Sequence, residues 1–101
     1  MTNDHLIQTP DGTITVPNDV LSQIVVRAAE SVSGAVVHRP RRSVTVSIDG
    51  DRARVALELT VQFGLVLPEV ARDVQAQITD ALRTTCDVAI EAVDVTVEEL
   101  K

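Results

Sequence analysis

Few side chains in this sequence have the type and spacing that catalysis or metal binding requires. The two histidines, His5 and His38, and the single cysteine, Cys86, lie far apart along the chain. A His/Cys metal site needs ligands at short spacing, and a nucleophilic thiol needs a neighbouring base or a lowered pKa. The sequence also contains no nucleophile elbow, phosphate-binding loop or dinucleotide-binding fingerprint. We therefore expect a protein that is not an enzyme, with no catalytic residue, no bound metal and no cofactor.

A basic stretch could instead recognise anionic groups. Residues 38–42 are rich in arginine, and two more arginines follow a predicted hairpin turn. If the hairpin brings them together, the candidate interaction patch consists of Arg39, Arg41, Arg42, Arg52 and Arg54. Such a patch could bind phosphates, acidic lipid headgroups or an acidic protein surface. A solvated loop that protects an edge strand from wrong pairing is the simpler interpretation, because runs of charge usually solvate a surface.

The end of the sequence is acidic and offers a candidate counter-patch, formed by Glu91, Asp94, Glu98 and Glu99. The formal net charge is −6 and aromatic residues make up 1% of the chain. Nucleic acid is therefore a poor partner, since an acidic protein repels phosphates and base stacking needs aromatic rings. A nucleic-acid-binding module that uses the Arg-rich hairpin remains the alternative function.

No apolar run approaches the ~20 residues that a membrane helix requires, and residues 1–5 lack the positive charge of a signal peptide. One cysteine cannot form an internal disulfide. We expect a cytoplasmic protein with no direct membrane insertion.

The elements that position these residues follow from hydrophobic periodicity. Apolar residues recur at helical spacing over 20–32 and 68–85, and they alternate as in strands over 12–16, 44–48, 55–63 and 93–97. The dipeptide Asp49-Gly50 is typical of a hairpin turn. A loop of two residues (Asp49-Gly50) or four (through Arg52) keeps the apolar residues of the two flanking strands on one face of the sheet. Val88 and Ile90 are an odd number of residues from Val93, so a regular strand would place them on the opposite face of the sheet from Val93. This pattern predicts a bulge near residues 91–92.

These elements predict an α+β fold. The order is β-α-β-β-α-β, as in ferredoxin-like proteins, and the economical arrangement is a two-layer sandwich. In it, an antiparallel-rich sheet carries both helices on one face and leaves the other face exposed. We assign residues 1–11 to a flexible N-terminal segment and residues 12–101 to a single domain.

The order and spacing of several segments resemble the alkaline shock protein family of bacteria over about residues 12–98. The match begins at residues 12–16 and closes at 93–97, and its most specific part is Val61-x-Phe63-Gly64-x-x-x-Pro68-Glu69-Val70-Ala71-x-x-Val74-Gln75. Residues 34–44 depart from it, since many relatives have a longer segment there and this one is short and Arg-rich.

The resemblance implies an interaction or scaffold protein in envelope stress response or homeostasis, with protein partners that include a membrane-anchored one. It would associate with the membrane only through that partner. The resemblance also implies self-assembly.

The charge distribution suggests how copies could associate. Residues 38–54 carry a net charge of +3 and the rest of the chain −9. Head-to-tail pairing of the basic hairpin with the acidic end of a second copy would build rings or filaments. We expect such assemblies to dissociate as salt rises, because exposed charges are screened.

Overall fold

The computed structural model describes the backbone of residues 4–38 and 40–101. Three helices and six strands occupy this part of the chain, in the order β1 (Asp4–Thr9), β2 (Gly12–Pro17), α1 (Asn18–Glu30), β3 (Ala35–Val36), α2 (Pro40–Ser43), β4 (Val44–Asp49), β5 (Arg52–Val61), α3 (Leu67–Cys86) and β6 (Ala89–Leu100).

The main sheet is built around β5. Antiparallel β4 pairs with its first half, with Val46 opposite Val55, and the short β3 pairs with its last residues. On the other side of β5, β6 runs parallel to it, with Val95 opposite Leu57. Two neighbouring parallel strands need a long crossover connection, and α3 provides it.

Alternation along β5 separates the two faces of the sheet. Val55, Leu57 and Leu59 are buried, whereas Arg54, Ala56 and Glu58 between them are exposed. The helices cover the apolar face with fully buried side chains from α1 (Leu21, Val25, Ala29) and from α3 (Val74, Ile78, Leu82). This arrangement confirms the predicted α+β fold with two helices on one face, and it leaves the second face open.

The hairpin between β4 and β5 has the register that a four-residue loop through Arg52 would give, with Ile48 opposite Ala53. Asp49 and Arg52 also pair, so the turn itself consists of Gly50 and Asp51. Gly50 takes the left-handed conformation at φ +65°, which a glycine adopts without steric cost.

The predicted bulge near residues 91–92 is confirmed. Ile90 lies opposite Ala53, but Ala92 lies opposite Arg54, so Glu91 is an extra residue in β6. Ile90 and Val93 are three residues apart, and a regular strand would place them on opposite faces. The inserted residue allows both to pack against the core beneath the helices. A second irregularity, at Glu98, was not predicted.

The first two strands form a separate ribbon. The sequence pattern predicts a flexible segment over residues 1–11, but Asp4–Thr9 forms β1 and pairs with β2, with Ile7 opposite Ile14. The predicted strand over 12–16 is present, yet it pairs with β1 and does not join the main sheet. Leu6 and Ile7 are adjacent apolar residues among polar ones, so β1 has no alternation that would distinguish it from a polar tail.

Candidate interaction surface

Five exposed apolar side chains come from segments that meet at one end of the main sheet. We call this group the end surface, and it consists of Val36, Phe63, Leu65, Val66 and Leu100. Phe63, the only aromatic residue of the chain, is the most exposed of them at 76%.

Strand pairing and backbone hydrogen bonds bring these segments together. Val36 lies opposite Thr60, and Leu100 lies opposite Val61 on the other side of β5. Beyond the strand, the backbone N–H of Gln62 donates to the carbonyl of Gly34 at 2.9 Å. The N–H of Phe63 donates to the carbonyl of Lys101. The ends of three strands are thus tied at the base of the loop that carries Phe63.

The loop from β5 to α3 presents the rest of the end surface. The loop turns directly after Gln62, whose carbonyl accepts from the N–H of Leu65 at 3.4 Å. Gly34 has φ +88°, and a Cβ built on it would collide with Cδ1 of Leu65. A glycine at position 34 therefore lets Leu65 pack directly on the backbone.

A buried hydroxyl lies in the strand that leads to this loop. Thr60 is only 4% exposed, and its Oγ1 has no hydrogen-bond partner among the described residues. Leaving a buried hydroxyl unsatisfied costs about 1–3 kcal/mol. Thr60 is therefore a destabilising position that the surrounding strands must offset.

Charges of both signs lie near the end surface. Glu69 lies in the first turn of α3, where the helix dipole favours a carboxylate. Glu98 and Glu99 directly precede Leu100 in β6, and all three carboxylates are on exposed residues. Lys101 directly follows Leu100, and the exposed Arg42 lies between Val36 and Val44, which pair with Thr60 and Leu57 near the same end of β5. The charges that flank the apolar end surface are therefore of both signs.

The structure does not gather the five predicted arginines at one place. Arg39 lies outside the described residues, and Arg41 is described only as part of the α2 backbone. Arg42 is exposed just before β4 begins, whereas Arg52 is opposite Asp49, where β4 ends. Six residues of strand separate these points by roughly 17–20 Å. This register corrects the expectation of one patch, because pairing at the turn brings Arg52 to the far end of β4.

The acidic counter-patch lies on one strand. Glu91, Asp94, Glu98 and Glu99 are all exposed on β6. Arg54 lies opposite Ala92, two residues from Asp94, so the two signs of charge are neighbours within one molecule.

A polar groove of about 470 Å³ lies at the opposite end of the sheet, lined by Asp51, Asp80, Arg83, Thr84, Asp87, Val88 and Ala89. Within the described residues, no group of three or more His, Cys, Asp or Glu side chains could hold a metal ion. The nearby Cys86 is buried, and burial raises the pKa of its thiol, which disfavours the nucleophilic thiolate. Over the same described part, no helix is both long and apolar enough to cross a membrane.

Comparison with known proteins identifies the family. The family model of the alkaline shock proteins, described as having a cell envelope-related function, matches residues 6–101. The chain belongs to the alkaline shock protein family. The resemblance inferred from the order and spacing of its segments is therefore confirmed, and the family match covers nearly the whole chain. No curated protein matches it.

Solved structures share the fold at low sequence identity. A variant of MamM-CTD is 19% identical with a TM-score of 0.54, and the match covers 80% of this chain and 95% of that one. A MamM-CTD variant in a zinc form is 19% identical with a TM-score of 0.51, and the match covers 80% of this chain and 84% of that one. A nickel form is 18% identical with a TM-score of 0.52 and covers 80% and 96%. These similarities support the α+β fold of this alkaline-shock-family chain.

Sequence reasoning missed the end surface. The alternation over residues 55–63 predicts an inward-facing Phe63, but β5 ends at Val61 and Phe63 lies beyond the strand. One feature of the sequence could have indicated this surface. The single aromatic residue stands next to Gly64 and is followed by an apolar run at residues 65–67, just before the amphipathic helix.

Proposed function

We propose that this chain is a non-catalytic interaction protein on the cytoplasmic side of the cell envelope. It binds a membrane-anchored protein partner, and the end surface is the binding site. The observation that carries this proposal is the 76% exposure of Phe63 beside other exposed apolar residues. The envelope-related function of the alkaline shock protein family supports the location.

The energetics of Phe63 favour a binding role. Burying a phenylalanine side chain that was fully exposed contributes about 1.5–3 kcal/mol. Residues that dominate interface energies are often aromatic and surrounded by other contacts that exclude water. Val66, 57% exposed, and Leu100, 45% exposed, are suited to supply such contacts.

The nucleic-acid alternative gains no support from the fold. The exposed positions at the centre of the open sheet face, Thr45, Ala56 and Thr96, carry no aromatic ring. The arginines are divided between the two ends of β4. Neither stacking nor one continuous phosphate-binding patch follows from this arrangement.

Membrane vesicles with their cytoplasmic side outward, prepared from the source cells, test the proposal. We expect the purified chain to cosediment with these vesicles, and to lose binding when the vesicles are first treated with protease. Phe63→Ser should remove binding, whereas Val20→Ser should retain it. Val20 is a matched control because it is an exposed apolar residue in the first turn of α1, whereas the opposite end of that helix leads to β3 and the end surface.

Circular dichroism of both variants checks that they remain folded. Equal binding by Phe63→Ser and the unchanged chain would show that the end surface is not the site. Absence of binding to untreated vesicles, including those from cells under alkaline or envelope stress, would contradict the proposed location.

A further inference from the structure

The outer edge of β6 has no neighbouring strand. At 12 residues β6 is the longest of the described strands, and within the described structure it pairs with β5 alone. The other side of the main sheet differs, since β1 of the ribbon contacts β4 there. A long strand with an unpaired edge presents backbone donors and acceptors that can pair with another strand.

Hydrogen bonds at the end of β6 determine which of its backbone groups face β5. Lys101 donates its N–H to the carbonyl of Val61 at 3.0 Å, and its own carbonyl accepts from the N–H of Phe63. Gln62, between these two partners, points to the other side of β5, where its N–H donates to Gly34. In a parallel ladder, the residues of β6 that lie opposite Gln62 and opposite every second residue before it therefore bond to β5.

The regular part of β6 directs three valines to the free edge through their backbone groups. Asp94 lies opposite Ala56 and Thr96 lies opposite Glu58. Both partners are an even number of residues before Gln62, so the backbone groups of Asp94 and Thr96 bond to β5. The residues that alternate with them direct their N–H and C=O groups away from β5, and these are Val93, Val95 and Val97.

The side chains of the same valines are incompletely covered. All three pack against the core and remain half-buried. On the adjacent strand, Val55 and Leu57 are only 1% and 2% exposed. The apolar layer beneath the helices therefore continues to the free edge, where one more strand would cover it.

One helix side chain reaches this edge. Nε2 of Gln75, on α3, donates to the carbonyl of Val93 at 2.9 Å. A carbonyl oxygen has two lone pairs, so this contact leaves room for a second donor from another strand.

We propose that residues 92–97 pair antiparallel with the same residues of a second copy, about a two-fold axis at Val95. Val95 then lies opposite Val95 of the other copy, and Val93 lies opposite Val97. These are hydrogen-bonded pairs, because their outward backbone groups face each other. The two four-stranded sheets become one continuous sheet, with the helices of both copies on the same face.

The sequence around Val95 selects this register. It places Asp94 opposite Thr96, with no carboxylate facing another inside the ladder. A shift of two residues in either direction places Asp94 opposite Asp94 or opposite Glu98, and like charges directly opposite are destabilising. A shift of one residue would turn the valines of one copy to the polar face. The bulges at Glu91 and Glu98 confine the pairing to the segment between them.

Salt dependence distinguishes this dimer from head-to-tail pairing of the basic and acidic segments. The proposed register brings Glu91 of each copy toward Glu99 of the other, and each copy has a net charge of −6. Salt screens this repulsion, so the dimer should become tighter as salt rises. Head-to-tail pairing would weaken under the same change.

Analytical ultracentrifugation of backbone variants tests the pairing. Val95→Pro removes an N–H that points away from β5, so the ladder to β5 stays intact. Val95→Ala is the matched control, because it also loses the branched side chain but keeps the N–H. We expect Val95→Pro to raise the dimer dissociation constant at least about tenfold above that of Val95→Ala. Equal constants for two variants that circular dichroism shows to be folded would overturn the inference.

A pair of lysine variants tests the register without altering the backbone. Thr96→Lys places a cation opposite Asp94 of the other copy, twice in each dimer, and should tighten the dimer about fivefold. Thr45→Lys changes the net charge equally on the same open face, but on β4, and should have a smaller effect. Equal tightening by both variants would show that net charge alone acts and would overturn the register.

A distance measurement tests the continuous sheet. Nitroxide labels at Thr45→Cys, in a Cys86→Ala background, would be separated by five strand spacings, which is roughly 25 Å between the two Cα atoms. Electron–electron double resonance measures this distance, and a much longer one would overturn the arrangement. A monomeric mass at high protein concentration and high salt would also overturn it. If the chain is monomeric and Val95→Pro nevertheless reduces its binding to the membrane vesicles, the edge takes a strand of a different protein and the inference fails.

Discussion

Phe63 shows why the site is harder to infer than the core at the scale of single residues. Its parity matches that of Val55, Leu57, Leu59 and Val61, all of which are buried. Whether the next residue in this alternation is covered depends on where the strand stops and on which distant segments reach it. Here Gln62 and Phe63 bond to Gly34 and Lys101, far away in sequence. Periodicity identified the core and could not locate this boundary.

The thiol of Cys86 links stability to alkaline pH. Burial raises the pKa of the thiol above its ordinary value of 9.0, so the folded state holds the proton more tightly than the unfolded state. The protonated thiol makes its full contribution to stability below pH 9.0, and this contribution declines as the pH rises through and beyond 9.0. We expect Cys86→Ala to lose less stability than the unchanged chain between about pH 8 and pH 10.

Urea unfolding at both pH values measures this difference. Cys86→Ala will be less stable at the lower pH, because removing a buried sulfur leaves a small cavity. The quantity to compare is therefore the change in unfolding free energy between the two pH values for each protein. Identical declines in both proteins would show that the thiol does not contribute to the pH dependence.

Gly34→Ala tests the contact beneath Leu65. The change imposes a Cβ at φ +88°, so we expect a loss of about 1–2 kcal/mol in the free energy of unfolding, and the exposed end of the Leu65 side chain must move aside. Gly50→Ala is a matched control, because Gly50 also has positive φ but has nothing within 4 Å of the position that a Cβ would occupy. Thermal unfolding should show the larger loss for Gly34→Ala if the packing of Leu65 on this backbone contributes to stability, and equal losses would show that Leu65 moves aside without cost.

At the scale of elements, α3 ends in an unusual way. Its C-cap, Asp87, has φ 54°, and its N–H donates to the Arg83 carbonyl. Glycine is the usual residue in this conformation, and a carboxylate is unfavourable at the negative end of a helix dipole. We expect Asp87→Gly to stabilise the protein by about 1 kcal/mol in urea unfolding. Asp87→Asn removes only the charge and should give a smaller gain; a loss of stability with glycine would contradict this explanation.

The elements were predicted where apolar residues repeat several times. Both long helices and the β4–β5 pair follow from such repeats, and opposed parity around Val93 revealed the bulge at Glu91. Only one apolar residue, Leu100, follows the irregularity at Glu98. One residue is not enough to show that the alternation between the two faces of β6 has shifted. The ladder between β6 and β5 is parallel and brings together residues distant in sequence, so local pattern could not specify it.

At the scale of the whole molecule, the positions of the arginines indicate which of them could take part in the expected self-association. Arg54 already lies near Asp94 of its own sheet, whereas Arg42 is exposed before β4. If copies pair head to tail, larger species should form at low salt and dissociate at high salt. Arg42→Glu should then disrupt them more than Arg54→Glu does. Light scattering at high protein concentration measures this, and a monomeric mass at every salt concentration would exclude the pairing.

The ribbon of β1 and β2 has a consequence for how the molecule opens. Its strands pair only with each other in the described structure, and Leu6 and Ile14 are more than half exposed. A two-stranded ribbon has little stability of its own, so it can separate locally while the main sheet stays intact. Amide hydrogens of Leu6 and Ile14 should therefore exchange with solvent much faster than those of Leu57 and Leu59. The unfolding free energy of the sheet would then overestimate the protection of the ribbon, whose opening is a separate equilibrium.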